Sequence, residues 1–278
     1  MSAIPMQLLS DNATVGPDGN LSVGGCSIAE IAEEYGTPVF VYDEAHLRAR
    51  CQQAVAAFGH QQVVYATKAF LCKAMARLVY DEGLLLDVAS GGELAVVLAA
   101  GVPANVCTLH GNNKSMTELR EAITAGVRHI IVDSFDELDR LDVLAAEQLG
   151  PVPKVLLRIT PGVSAHTHEF IATGQDDSKF GFNLGNGDAL KAVDRARRST
   201  SVELVGVHCH IGSNVFEASS FAKAAAVMAD FAVPLDLPEL VLGGGLGVAD
   251  IEGEEAPTIA RWGNVLLDAC QALGVRSK

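Results

Sequence analysis

Seven short apolar segments recur between residues 63 and 242, and each is followed by a stretch with helical periodicity. Strands this apolar, alternating with helices, predict a parallel sheet that is covered by helices. The regular order of these segments is the feature that most limits the possible folds. The predicted strands are Val63–Ala66, Leu84–Val88, Val106–Leu109, His129–Val132, Val155–Ile159, Leu204–His208 and Glu239–Leu242.

Glycines are expected to end most of the intervening helices, because glycine readily adopts the left-handed conformation that closes a helix. Seven strands and seven helices in about 215 residues approach the span of a (β/α)8 barrel. An eighth strand is expected at about Val275 and does not follow. We therefore expect a TIM-type barrel that is truncated before its eighth strand, with an open doubly wound sheet as the alternative. The helix-ending glycines are Gly83, Gly101, Gly126, Gly150 and Gly274.

The first part of the chain is predicted to be a separate N-terminal segment, residues 1–42, followed by the barrel at 43–278. Within this segment we expect a strand at Leu21–Ile28, a short helix at Ile28–Tyr35 and a second strand at Val39–Tyr42. Asp43 is expected to cap the next helix. Another helix is predicted to start at Phe70.

Composition argues against several classes of partner. The formal net charge is -14, and no basic block is present, so neither nucleic acid nor an anionic membrane is expected as a partner. Residues 1–10 show no secretory leader, and no apolar run reaches the length of a membrane span. The six cysteines contain no CxxC pair, which favours free thiols in a cytoplasmic protein.

Polar residues or glycines occur at nearly every predicted strand end, where (β/α)8 barrels build their active sites. The first of them, Lys68, is either a solvated strand end or a functional amine. The complete set is Lys68, Asp87 with Ser90, His110, Asp133, Arg158, His208–Ser213 and Gly243–Gly247.

The glycine run Gly243–Gly247 favours phosphate binding, because successive backbone N–H groups without Cβ atoms can approach an anion. A dinucleotide fingerprint is a poor alternative, since Gly243 and Gly245 are followed by Val248 instead of the third glycine. A tight turn without function is the second alternative.

His208 and His210 are expected to share one face of their strand, with Cys209 on the other. This pair could ligate a metal, perhaps with His166, His168 and Glu169, as in a metal-dependent hydrolase. That interpretation gives no role to Lys68 and the glycines. A histidine can instead lie on an aromatic cofactor ring, with Ser213 donating to a phosphate. We therefore predict no metal.

A lysine amine, a phosphate nest and a ring partner on one barrel face together suggest pyridoxal 5'-phosphate, held by Lys68 as a Schiff base. Arg158 and Asp87 would set the electrostatics of its ring and imine.

Seven segments resemble the fold-type III pyridoxal-phosphate enzymes, the group that contains alanine racemase and the barrel-type amino-acid decarboxylases. Among these, His110–Ser115 is most similar to the diaminopimelate branch. The matching segments are Gly36–Tyr42, Tyr65–Phe70, Asp87–Leu94, His110–Ser115, Lys179–Gly181, His208–Ser213 and Gly243–Gly247.

The resemblance implies roles for individual residues. Lys68 matches the Schiff-base lysine, and His210 matches the histidine that stacks on the pyridine ring. Phosphate contacts are implied for Ser213, Gly243, Gly244 and Gly245. Arg158 and Asp87 match residues that line the cofactor pocket.

The implied reaction removes one carboxylate from meso-2,6-diaminoheptanedioate and gives L-lysine and carbon dioxide, in a homodimer. Family members also have an eighth strand ending in Glu-Pro-Gly-Arg and a C-terminal β-domain, and neither occurs in these 278 residues. We therefore expect little activity from this chain alone, as a fragment. The alternatives are a decarboxylase of another basic amino acid (ornithine, arginine or lysine) and a non-catalytic pyridoxal-phosphate-binding protein.

Overall fold

The computed structural model describes residues 5–163 and 180–275. It opens with a small antiparallel sheet of β1 (Thr14–Val15), β2 (Leu21–Val23) and β3 (Cys26–Ser27). The single strand predicted at Leu21–Ile28 is wrong, because Gly24 and Gly25 both have positive φ and form the turn between β2 and β3. Helix α1 (Ile28–Tyr35) follows as predicted.

The strand predicted at Val39–Tyr42 is also wrong. This stretch pairs with no other strand in the described parts of the chain, and the Phe40 side chain is 88% exposed. Helix α2 (Glu44–Phe58) then begins where predicted, since the Asp43 side chain accepts a hydrogen bond from the His46 N–H at 3.1 Å.

The rest of the described chain alternates strands with helices. All seven predicted strands form within one or two residues of their expected bounds, and one short extra strand appears. The elements are β4 (Val64–Ala66), α3 (Lys73–Asp81), β5 (Leu85–Val88), α4 (Gly91–Ala99), β6 (Cys107–Leu109), α5 (Met116–Ala125), β7 (His129–Val132), α6 (Phe135–Ala145), β8 (Lys154–Thr160), β9 (Phe182–Asn183), α7 (Asp188–Arg198), β10 (Glu203–Cys209), α8 (Ala218–Ala232), β11 (Glu239–Leu242) and α9 (Ile259–Ala272).

Two helix boundaries differ from prediction. Helix α3 starts at Lys73 instead of Phe70, because a 3-10 turn at Thr67–Ala69 follows β4 and Cys72 caps the helix. Helix α6 ends at Ala145, so Gly150 lies in the turn beyond it. The other four predicted glycines follow their helices with positive φ.

The seven strands are parallel and lie in the order β11-β10-β8-β7-β6-β5-β4, with β9 paired to the end of β8. Within the described residues, β4 and β11 are the two edges of this sheet.

The sheet is strongly curled. Strands β7 and β11 are three positions apart, which in a flat sheet corresponds to roughly 14 Å, yet His129 Nε2 lies 3.4 Å from Glu239 Oε1. Four strands each contribute one apolar side chain to a small cluster in the concave interior of the sheet. These residues are Ile131, Leu156, Val205 and Val241.

Helices cover the outside of the curled sheet. Helix α9, after the last strand, packs on α2, before the first: the Phe58 and Trp262 rings meet edge to face at 4.9 Å. The helical layer therefore closes around the sheet as in a barrel, and the open doubly wound alternative is wrong. The fold is a TIM-like α/β barrel of the predicted class.

Helix α8 and its 3-10 extension, Ala218–Leu235, have the length and mean hydropathy (1.2) of a membrane span. Eight residues of the helix itself are buried, and it packs on α9 and β11. This contact pattern is that of a core helix in a barrel.

Candidate active site at the carboxyl ends of the strands

The curl of the sheet brings the predicted site residues together at its carboxyl edge. The charge of Lys68 acts on Asp87, His110 and His210, and the charge of Arg158 acts on the same three groups and on His208. Residues from five strands therefore share one electrostatic environment.

Lys68 lies in the 3-10 turn after β4, with an exposed side chain. Its neighbour Thr67 is 1% exposed, and the Thr67 hydroxyl lies 2.8 Å from the Asp87 carbonyl oxygen and 2.8 Å from Glu93 Oε2. Because the preceding residue is held by β5 and α4, the turn presents the lysine amine on the open face of the site.

Asp87 is the penultimate residue of β5 and is half-buried, and its Oδ1 is buried without a hydrogen-bond partner. Burial raises the pKa of Asp87 to about 7, although the charge of Lys68 lowers it. A buried polar atom is normally satisfied by a hydrogen bond. Asp87 Oδ1 therefore offers a ready acceptor or donor to a bound group. Ser90, predicted beside it, caps α4 instead.

Three histidines line the site from β6 and β10. The His110 and His208 rings meet edge to face with centroids 4.6 Å apart, and His208 Nδ1 is buried without a hydrogen bond. Burial lowers the pKa of all three imidazoles, that of His210 to about 4. The rings are neutral at pH 7, and Cys209 is buried on the opposite face of β10, as predicted.

Arg158 supplies a buried positive charge from β8. Its Nη1 lies 3.3 Å from Asp133 Oδ1, and its guanidinium lies 4.3 Å from the centre of the Phe180 ring. The second oxygen of Asp133 accepts a hydrogen bond from the Gly181 N–H at 3.1 Å. The arginine is thus fixed by a carboxylate and a ring.

The glycine run after β11 forms a cradle against the loop after β10. A Cβ atom on Gly243 would lie 2.5 Å from the Cys209 carbonyl oxygen, and one on Gly245 (φ 105°) would collide with the Gly212 carbonyl oxygen. A Cβ atom on Gly244 would instead meet open space. Gly243 and Gly245 are therefore required by the backbone packing, whereas Gly244 has open space at its Cβ position. Ser213, next to Gly245 in this cradle, is exposed.

The alternative metal site cannot be assembled from what is described. His166, His168 and Glu169 lie outside the described residues, as does Lys179 of the family-like segments. Residues 5–163 and 180–275 contain no group of three or more potential metal ligands.

The site fits pyridoxal phosphate on four observations: an accessible amine, an unsatisfied buried carboxyl oxygen, a neutral imidazole and a backbone cradle with open space. Together with the barrel, they define a pyridoxal-phosphate-binding protein. The chain belongs to the family described as pyridoxal-dependent decarboxylase, pyridoxal binding domain, whose profile matches residues 44–275. Its cofactor is therefore pyridoxal phosphate.

Within that family, several relatives are diaminopimelate decarboxylases. The chain is 44% identical to a diaminopimelate decarboxylase of Mycobacterium bovis, over 95% of this chain and 62% of that protein. The diaminopimelate decarboxylase of Corynebacterium efficiens is also 44% identical, over 96% of this chain and 59% of that protein.

Solved structures agree with the sequence relatives. The diaminopimelate decarboxylase of M. jannaschii in complex with L-lysine superposes with a TM-score of 0.87 at 33% identity, over 95% of this chain and 63% of that chain. The present chain thus spans less than two thirds of the length of these relatives.

Sequence reasoning left several site residues without a role. His110 and Asp133 were expected at strand ends, and both contribute to the site. Glu93 lies inside a family-like segment, but its hydrogen bond to Thr67 depends on the approach of α4 to β4. Lys114 also lies inside a family-like segment, but its contact with Glu137 in the core depends on the approach of α6 and could not be predicted.

Proposed function

We propose that this protein is a diaminopimelate decarboxylase, which removes one carboxylate from meso-2,6-diaminoheptanedioate and releases L-lysine and carbon dioxide. The observation that carries the proposal is the placement of Lys68 on the open face of the site, within electrostatic reach of Asp87 and His210. The names of the relatives support this substrate.

Pyridoxal phosphate, when bound, supplies a ring that draws electrons from the substrate α-carbon as carbon dioxide leaves. Lys68 Nζ is the group that would hold the cofactor covalently. Ser213 and the backbone N–H groups of Gly243–Gly245 would bind its phosphate, and the neutral His210 ring would cover its face.

Asp87 and Arg158 govern charge at the site. A carboxyl group with a pKa of about 7 can hold a proton at Oδ1 or release it near physiological pH, which suits proton exchange with a neighbouring amine. The buried Arg158 guanidinium keeps a positive charge beside the imidazoles, which favours their neutral form.

Borohydride trapping tests the assignment of Lys68. The 278-residue chain is incubated with pyridoxal phosphate, reduced and digested, and the labelled peptide is identified by mass spectrometry. We expect the label on Lys68, its loss in Lys68→Ala, and no change in Lys73→Arg, which alters an exposed lysine nearby. A label elsewhere, or none, contradicts the assignment.

Product analysis tests the substrate. The assay uses the full-length gene product, because little activity is expected from these 278 residues alone. We expect it to form L-lysine from meso-2,6-diaminoheptanedioate, and no amine product from ornithine, arginine or lysine. Amine products would favour the alternative, a decarboxylase of another basic amino acid. The lysine/ornithine decarboxylase of Vibrio vulnificus has a similar fold, with a TM-score of 0.72 at 21% identity. Binding without any product would favour a non-catalytic pyridoxal-phosphate protein.

The remaining expectations stay predictions. The profile match begins at residue 44, which supports a boundary after residue 42. The acidic net charge and six free cysteines support a cytoplasmic protein without nucleic-acid or membrane partners. Homodimerisation, which light scattering would test, and low activity of the 278 residues alone rest on the resemblance.

A further inference from the structure

We propose that Lys114 and Glu137 are positioning residues for the cofactor site: their buried ion pair holds Asp133, and through it Arg158, at the carboxyl edge of the sheet. This inference rests on the proposed function, because it assigns Arg158 to the same site.

Lys114 joins the loop after β6 to the neighbouring strand and helix. It is 3% exposed, and its Nζ lies 2.8 Å from Glu137 Oε1 in α6. The same amine donates hydrogen bonds to the carbonyl oxygens of Gly111 at 2.5 Å and Ile131 at 2.7 Å. The ammonium group therefore contacts one carboxylate oxygen and two backbone carbonyl oxygens.

Glu137 continues the connection towards the site. It is also 3% exposed, and its second oxygen accepts a hydrogen bond from the Asp133 N–H at 3.1 Å. Asp133 in turn binds Arg158 through Oδ1 and the Gly181 N–H through Oδ2. One continuous chain of contacts thus runs from Lys114 to Arg158.

Stability alone is a weak reason to bury such a pair. Desolvation of two charges commonly offsets their attraction, so that apolar replacements are often tolerated. The position of the pair has a clear consequence, however. Arg158 is the arginine whose charge reaches Asp87, His110 and His210, and its carboxylate partner is fixed by Glu137.

Two variants and a matched control separate positioning from stability. Glu137→Gln keeps an acceptor for the Asp133 N–H but removes the charge, and Lys114→Met/Glu137→Gln removes both charges. The control is Arg120→Met/Glu147→Gln. The Arg120 guanidinium lies 2.7 Å from the Glu147 carboxylate, and this ion pair likewise joins α5 to the end of α6, but on the protein surface. Pyridoxal-phosphate affinity is measured by quenching of the single tryptophan, Trp262, and melting by circular dichroism.

We expect Glu137→Gln to lower both the melting temperature and the cofactor affinity, the affinity by about tenfold. The double variant should recover the melting temperature but not the affinity, and the surface control should change neither. The proposal is overturned if the folded variants bind the cofactor within about twofold of the parent protein.

A double-mutant cycle keeps the test decisive if Lys114→Met/Glu137→Gln does not fold. Asp133→Asn removes the next member of the chain, so Glu137→Gln should add little to its loss of affinity. Independent, additive losses contradict the proposal.

A readout without cofactor separates this inference from the proposed function. Burial is the main cause of the lowered His210 pKa, and the charges of Arg158 on β8 and Lys68 after β4 lower it further, while a Gly244 backbone hydrogen bond raises it. The other titratable neighbours are His110 after β6 and His208 on β10. If Glu137→Gln displaces Arg158, the NMR titration of His210 should rise by roughly half a pKa unit or more. An unchanged titration contradicts the inference. Failure of the parent chain to bind pyridoxal phosphate contradicts only the proposed function.

Discussion

Thr67 Oγ1 lies 2.8 Å from Glu93 Oε2, and this contact anchors the turn that carries Lys68. Glu93 Oε2 also accepts a hydrogen bond from the Ala89 N–H at 2.6 Å, so one carboxylate connects β4, β5 and α4. The residue that is expected to bind the cofactor is exposed, while its neighbour is buried and doubly held. Firm support next to an exposed amine is the arrangement that a covalent cofactor site requires.

Thr67→Val tests this support, because valine keeps the shape of threonine and removes the hydroxyl. We expect a loss of about 1–2 kcal/mol in the free energy of unfolding and roughly tenfold slower trapping of pyridoxal phosphate on Lys68. The measurements are urea denaturation and mass spectrometry after timed borohydride addition. Thr67→Ser, which retains the hydroxyl, should behave like the parent. Equal trapping rates in all three proteins would contradict the role of Thr67.

Asp87→Asn tests the raised carboxyl pKa. Because the pKa is about 7 in the folded protein against roughly 3.9 in the unfolded chain, the folded state binds the extra proton between these values. Stability from this group is therefore present below pH 4 and is lost as the pH rises towards 7. The side chain of Asp87→Asn cannot ionise, so the variant should not lose stability as the pH rises. At pH 8 its free energy of unfolding without cofactor should exceed that of the parent by up to a few kcal/mol.

The pH dependence of unfolding must be compared between the parent and the variant at each pH. His110, His208 and His210 have lowered pKa values, so their contribution to stability increases with pH, opposite to that of Asp87. Urea denaturation at pH 5 and pH 8 provides the four free energies of unfolding. Asp194→Asn, on the exposed face of α7, is the matched control and should change neither value. An equal effect of Asp87→Asn at both pH values would refute a pKa near 7.

The repeating pattern of the chain was enough to predict the barrel, because each strand and helix carries its own local signal. Val39–Tyr42 shows where that reasoning fails. Its apolar and aromatic residues favour a strand, but a strand also needs a partner, and pairing is a property of the assembled sheet. Leu21–Ile28 failed for a local reason, since two consecutive glycines make a turn.

The candidate site was predictable as far as its residue types and their positions at strand ends. The energies of the interactions at the site could not be predicted from the sequence. Asp87 has a raised pKa because neighbouring elements bury it, and Glu93 and Lys114 act through contacts between segments that are distant in the sequence. Gly244 differs from Gly243 and Gly245 in which atoms lie opposite, and Gly245 alone of the three has a positive φ. Such differences follow from the packing of loops and cannot be read from spacing.

His210→Phe tests the requirement for a neutral ring. Because the His210 pKa is lowered to about 4, the imidazole is uncharged at pH 7, and phenylalanine should preserve cofactor affinity within about tenfold, whereas His210→Ala should lose more. The lowered pKa also predicts that stability falls as the pH drops from about 6.5 to 4, because the unfolded chain binds the proton first. Phenylalanine should weaken that dependence in urea denaturation at pH 5 and pH 7. Equal affinities for the phenylalanine and alanine variants would exclude stacking.

Gly244→Ala and Gly245→Ala test the glycine cradle. Together they separate its contribution to folding from its contribution to binding the cofactor phosphate. A Cβ atom on Gly245 would meet the Gly212 carbonyl oxygen, and φ is 105°, so this variant should lose about 2 kcal/mol or more of stability.

Gly244 has open space at the Cβ position, so Gly244→Ala should cost less than about 1 kcal/mol. If the cofactor phosphate occupies that space, the added methyl group should still weaken pyridoxal-phosphate binding clearly. Denaturation in urea and quenching of Trp262 measure the two effects. Inorganic phosphate should compete for the parent site and compete less for the Gly244→Ala site. Parent-like cofactor affinity in Gly244→Ala would place the phosphate elsewhere, and parent-like stability in Gly245→Ala would contradict the described backbone contact.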